Sequence, residues 1–358
     1  MTEKLLTPGP TPIPSQVIEA MNACANMHHR TPEFKEIFFE TTKNYGSFAG
    51  SSEQVIFLSG TGTLGMEAAV RNICPAGKKI AFLNSGKFGE RWGHIAKALS
   101  IDAIELSVEP RSMPCIDKVA DTIKNDSSIC AFCFQIVETS TGEFIDPSLI
   151  ISAIKQSNPN CLIVADGITA IGALEIHQEE LGIDVLICGS QKALMLPPGL
   201  TMLSFSNRAW DVISSVNCGS LYQNLSLEKK YQADGSSAWT PAIPLILGLK
   251  ESLKIINEEG KENLFKRHIE LSNICKQGIL DLGLELYPKN PAVSVTAVYS
   301  ENQNLEKIRQ ELLKKYQIRI AGGQDNLKGK IFRIGHMGFV FKEDIILALD
   351  AIRNIIKS

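Results

Sequence analysis

The residue best placed to act as a nucleophile is Lys192, in DVLICGSQKALMLPPG (184–199). The run Val185–Cys188 reads as a buried strand that breaks at Gly189-Ser190 and presents the lysine before a Pro-Pro-Gly turn. An ammonium held there loses hydration and its pKa falls; the neutral amine then attacks carbonyls to form a Schiff base. A lone loop lysine is ordinarily solvated, so its companions decide which reading holds.

Four segments supply them. FLSGTGTLGMEAAV (57–70) ends a strand at Ser59 and opens a helix near Gly62, with Thr61 and Thr63 at the junction. Free backbone N–H groups, the helix dipole and two hydroxyls make a phosphate site. Gly60, Gly62 and Gly65 also match GxGxxG, but the next strand ends Leu83-Asn84-Ser85, without the carboxylate a dinucleotide ribose needs. A lone phosphate fits better; a glycine turn without ligand is the other reading. Asp166 ends the apolar strand CLIVA and is either the partner of a buried cation, such as a protonated pyridine nitrogen, or a cap for the following turn. VETSTG (137–142) offers hydroxyl donors after another strand, or is an ordinary polar loop. In KIFRIGHMG (330–338), Arg333 sits in an apolar strand, where a guanidinium needs a substrate carboxylate or an internal salt bridge.

The elements that position these residues are legible as short apolar runs: 55–58, 80–83, 103–106, 129–135, 161–165, 184–188 and 201–205. Helical patterns such as 65–73, 91–99 and 147–156 lie between most of them, which predicts a doubly wound, mostly parallel α/β sheet. Only a turn separates the last two runs, so one antiparallel strand is expected. From about Ile243 the pattern becomes two long helices (245–259, 261–282), then strand (292–299), helix (305–315), strand (330–334) and helix (342–356), a small α+β unit. Ligands of open α/β sheets bind at the carboxyl ends of the strands, so the four segments can converge.

Composition narrows the function. The 358 residues exceed one ordinary core. A net charge of −3 leaves no footprint for nucleic acid or an anionic membrane. No apolar run approaches the roughly 18 residues that span a bilayer, and the N-terminus lacks a signal peptide's long apolar core. Nine cysteines without metal-site rhythm read as free thiols in a reducing cytoplasm; in the pair Cys130/Cys133 the side chains are expected on opposite faces of a strand.

Together these segments, with TPGPTPIP (7–14), HRTPEF (29–34) and AWTPAIP (238–244), resemble the fold-type I, class V aminotransferases that use pyridoxal 5′-phosphate, most of all the alanine–glyoxylate / serine–pyruvate branch. The resemblance implies an N-terminal arm (1–20), a large cofactor-binding α/β domain (21–243) and a small C-terminal α+β domain (244–358). It implies an internal aldimine on Lys192, which also shuttles the substrate proton, and Asp166 paired with the pyridinium nitrogen. Thr61, Gly62 and Thr63 would hold the phosphate with Gln191, and Thr240 would reach it from the partner subunit of a homodimer. Phe88 would stack on the ring, Thr139 bond near its hydroxyl and Ile168 pack on the opposite face. Arg333 would bind the substrate carboxylate, with the backbone around Gly9 closing the pocket. The implied reaction is ping-pong transfer from alanine or serine to glyoxylate or pyruvate. Three features depart from the branch: Thr169-Ala170 where two serines are common, Ser237 for tyrosine, and Phe88 for tryptophan.

Three alternatives are weaker. A cysteine desulfurase-like lyase usually carries histidine where this chain has Gln191 and Phe88, and a late nucleophilic cysteine, whereas none follows Cys275. A non-catalytic relative would have lost Lys192 or Asp166. A nicotinamide dehydrogenase lacks its ribose carboxylate.

Overall fold

The computed structural model of the chain describes residues 3–357. The apolar runs build a seven-stranded sheet: β1 (Ile56–Ser59), β2 (Lys79–Asn84), β3 (Asp102–Ser107), β4 (Ile129–Gln135), β5 (Leu162–Asp166), β6 (Val185–Gly189) and β7 (Leu200–Phe205). Their order is β1-β7-β6-β5-β4-β2-β3. Strands β2 to β6 pair in parallel, while β7 runs antiparallel to β6 and β1, because a short turn has no room for the crossover a parallel return requires. Inner strands are apolar on both faces: Phe132, Phe134, Ile163 and Leu186 enter one core, Ala131, Val164 and Ile187 the other. Helices α1 (Gly62–Ile73) and α2 (Lys87–Ala98) follow β1 and β2 and begin at the sheet's carboxyl edge.

One expectation is corrected at Cys130. Lys79 pairs with Ile129 but Ile80 with Ala131, so Cys130 is the extra residue of a bulge. Strict alternation puts Cys130 and Cys133 on opposite faces; the bulge resets the phase and packs both against the same core, with the Cys130 sulfur 3.6 Å from that of Cys74.

Helices α3 (Ile243–Glu259) and α4 (Lys261–Asp281) lead into the smaller unit. Its antiparallel sheet holds β8 (Glu285–Leu286), β9 (Val295–Tyr299), β10 (Ala321–Gly322) and β11 (Ile331–Gly335), ordered β8-β9-β11-β10. Helices α5 (Leu305–Tyr316) and α6 (Lys342–Lys357) close a core around Leu312, Phe332 and Ile352. β9 starts later than the apolar run suggests, because the Ala292 N–H donates to the Gly142 carbonyl instead.

The N-terminal residues form a strap. Lys4–Leu5 pairs in parallel with Ile318–Arg319, the Leu6 carbonyl accepts from Gly335 N–H, and the Thr11 hydroxyl donates to the Lys192 carbonyl at 2.7 Å. The strap therefore ties the small sheet to the loop that carries the lysine. No helix among the described residues is long and apolar enough to cross a membrane.

The small unit carries an acid-sensitive joint. His268 is fully buried; its Nδ1–H donates to the Leu264 carbonyl at 2.8 Å, and its Nε2 accepts from Gly338 N–H at 2.9 Å. Burial, with Arg267 adding to it, pulls the imidazole down to about 3. In the unfolded chain it titrates near 6.5, so below that pH the unfolded state binds more protons and stability falls as pH drops toward 3. The full loss is roughly 5 kcal/mol. The melting temperature of the wild type is expected to fall between pH 6.5 and 4.5 more steeply than that of His268→Gln; parallel profiles would remove His268 as the cause.

Candidate active site

The carboxyl edge of the sheet brings together residues from β1, β2, β4, β5 and β6, and the strap and small sheet close over them. Lys192 is only 8% exposed, and its Nζ donates to the Pro8 carbonyl at 2.5 Å. Gly9 backs directly onto it: a side-chain carbon there would lie 2.5 Å from Nζ, at a φ of +125° that favours glycine. Burial lowers the Lys192 pKa to about 8; the Asp166 carboxylate opposes this, and the Arg333 and Arg91 guanidiniums reinforce it. Near neutral pH a useful fraction of this amine is therefore unprotonated.

Asp166 ends β5 at 5% exposure. Its Oδ1 accepts from Ile168 N–H at 2.8 Å, the turn-capping role left open by the sequence, while Oδ2 takes no hydrogen bond from the described residues. Burial raises the carboxyl to about 7; the Ile168 bond opposes, and the nearby Glu138 charge adds to the rise. Such a group is poised to receive a cationic donor.

At the end of β1, Thr61 is the N-cap of α1, yet its hydroxyl caps no helix N–H, so the first N–H groups stay open. Ile168 covers this end: its Cδ1 would lie 2.1 Å from a side-chain carbon at Gly62. Thr63 Oγ1 accepts from Arg91 at 2.9 Å. The Oε1 of Gln191 is buried without a partner. Thr139 exchanges a 2.6 Å hydrogen bond with Thr169 and, through its carbonyl, accepts from Arg333 at 2.9 Å. Arg333, 6% exposed, gives two more hydrogen bonds to the Gly322 carbonyl. No carboxylate among the described residues lies within ion-pair distance, so the internal salt bridge left open by the sequence is not formed. Burial pulls the guanidinium down to about 10, where it remains a cation at neutral pH.

Thr240 stands apart. It is exposed and lines a surface crevice with Ser59 and Leu64, and no hydrogen bond joins it to Thr61 or Thr63. Sequence reasoning missed Glu138, which is fully buried and accepts from the backbone N–H groups of Phe88, Gly89 and Ser140, the Ser140 hydroxyl and the Gln135 amide. It caps α2 from another strand and so holds Phe88 in place. The signal was present: a carboxylate at an apolar strand's end demands donors, the same argument that singled out Arg333.

The site is thus a neutral-prone amine, a cation-seeking carboxyl, an open helix end and a guanidinium without an ion-pair partner, gathered at the carboxyl edge of the sheet. A family model described as aminotransferase class-V matches residues 4–357. An uncharacterized aminotransferase of Helicobacter pylori is 38% identical over 351 residues, 97% of this chain and 92% of that one. The serine–glyoxylate aminotransferase of Methylorubrum extorquens is 31% identical, covering 93% and 86%. A crystal structure of an aspartate aminotransferase of subgroup IV from Thermus thermophilus superposes with a TM-score of 0.92 at 30% identity, covering 99% of both chains.

Proposed function

The chain belongs to the class-V aminotransferases, and from that premise we propose that it moves the amino group of alanine or serine onto glyoxylate or pyruvate by a ping-pong cycle. The observation that carries the reading is Lys192: a buried amine lowered to about 8, facing Asp166 and Arg333.

The cofactor is pyridoxal 5′-phosphate, and the residues fit it. The uncapped end of α1, whose N–H groups suit a phosphate, and the free Oδ2 of Asp166, which suits a protonated ring nitrogen, each await a partner of the right polarity. When bound, it supplies an aldehyde for the lysine and a ring that withdraws electrons from the substrate Cα. Lys192 Nζ would hold it, and the same amine, lowered to about 8, would serve as the base for the substrate Cα proton. Asp166 keeps the ring nitrogen protonated. Thr61, Gly62, Thr63 and Gln191 would bind the phosphate, Phe88 and Ile168 would pack on the ring, and Thr139 would hydrogen-bond near its hydroxyl. Arg333 spends three of its five N–H donors on carbonyls, which leaves two for an α-carboxylate. A small donor is supported by the relatives named serine–glyoxylate aminotransferase. Thr240, exposed in one subunit, completes the phosphate site of a homodimeric partner. Nine unpaired thiols support a cytoplasmic location.

The test is a half-reaction screen: one amino acid at a time is mixed with the yellow holoenzyme and loss of colour is followed. Alanine or serine should bleach it fastest; fastest bleaching by aspartate would move the substrate to a dicarboxylic acid. In the same assay, Arg333→Ala is expected to weaken binding of every amino acid by about 2 kcal/mol, the scale of a lost charged hydrogen-bonded pair, with the cofactor's absorption unchanged. Unaltered apparent affinity would remove Arg333 from the site.

A further inference from the structure

Of the ten arginines, seven lie within 4 Å of a carboxylate. Among the described residues the exceptions are Arg30, which is exposed, Arg333, and Arg91. Arg91 is half-buried on the first turns of α2, where a guanidinium without an anion is costly. Two contacts hold it. Its NH1 donates to Thr63 Oγ1 at 2.9 Å, and its guanidinium carbon lies 4.8 Å from the centre of the Phe88 ring. Phe88 is itself fixed by the Glu138 carboxylate through its backbone N–H. The cation is therefore pre-positioned beside the open end of α1, with most of its donors unspent.

Charge balance says what it waits for. A phosphate monoester carries about two negative charges near neutral pH, whereas a helix N-terminus offers only about half a positive one. Thr61, Thr63 and Gln191 add dipoles but no charge, and Lys192 is committed elsewhere. Resting on the aminotransferase reading, we propose that Arg91 is the cationic ligand of the cofactor phosphate, reaching it alongside Thr63. Phe88, held independently by Glu138, supplies the ring face on which Arg91 rests. A carboxylate at the far end of a substrate is the competing anion, and the same experiment separates the two.

Apoenzyme of the wild type, Arg91→Gln and Arg91→Lys is titrated with pyridoxal 5′-phosphate, with pyridoxal, which lacks the phosphate, and with inorganic phosphate. In Arg91→Gln the preference for the phosphorylated over the plain aldehyde is expected to shrink about 10- to 100-fold, the scale of a charged hydrogen-bonded contact. Pyridoxal binding should stay unchanged, inorganic phosphate should weaken by a similar factor, and Arg91→Lys should keep most of the preference. Equal weakening of both aldehydes, which a merely misplaced Phe88 predicts, overturns the proposal. So does an unchanged preference, whatever happens to dicarboxylic substrates. A wild type that forms no covalent adduct with either aldehyde defeats the aminotransferase reading instead; the inorganic phosphate titration still decides for or against Arg91.

Discussion

Lys192→Ala is expected to leave a folded protein that retains no covalently bound pyridoxal phosphate and turns over about 10⁴-fold more slowly, the scale of losing a nucleophile and a positioned base together. The fold should survive, because the lysine's structural contribution is mostly backbone: its carbonyl accepts from the Thr11 hydroxyl and from Met195 N–H, and alanine keeps both. What disappears is a desolvated amine whose one hydrogen bond among the described residues goes to the Pro8 carbonyl. Holding it there costs stability, so the apoprotein of the variant should melt at the same or a higher temperature than the wild type. Borohydride treatment followed by peptide mapping reads the chemistry directly. The wild type should carry the adduct on Lys192, and the variant on no lysine. An adduct on another residue would displace Lys192 from its role.

Asp166→Asn should separate chemistry from stability in a second way. The amide oxygen can still accept from Ile168 N–H, so the turn after β5 is preserved. It cannot hold a charge against a protonated ring nitrogen, and turnover should fall about 10²- to 10³-fold while the covalent adduct on Lys192 still forms. The apoprotein responds oppositely. With its carboxyl raised to about 7 by burial, against about 3.9 unfolded, the native state binds the extra proton between those values. Stability therefore declines as pH rises from about 4 to about 7 and stays low above. The apo variant should be more stable than apo wild type at pH 8, by on the order of 4 kcal/mol, and the gap should close near pH 4. A gap that is constant with pH would mean that Asp166 is not the group that titrates. Loaded with cofactor, the wild type should recover the difference.

Much of this architecture is written in local pattern. The apolar runs that became the inner strands are legible because a strand buried on both faces must be apolar throughout, and the turn between β6 and β7 announces an antiparallel return. The two-residue strands β8 and β10 are not legible, since two residues carry no period. Nor is the bulge at Cys130, because it arises from the register of β4 against β2 rather than from β4 itself.

The chain's own order of residues determined the reactive parts: an amine after one strand, a carboxyl at the end of another, hydroxyls and glycines opening a helix, and a guanidinium inside an apolar strand. Folding decided their states. Lys192 is a lowered-pKa amine because Pro8 and Gly9, some 180 positions earlier, are laid over it by a strap anchored on the small sheet. Among the described residues no carboxylate lies within ion-pair distance of Arg333 or Arg91, whereas five donors converge on Glu138. Residue type and spacing carry donor identity and local geometry. Desolvation and ion pairing depend on which distant atoms share a few ångströms, and only packing sets that.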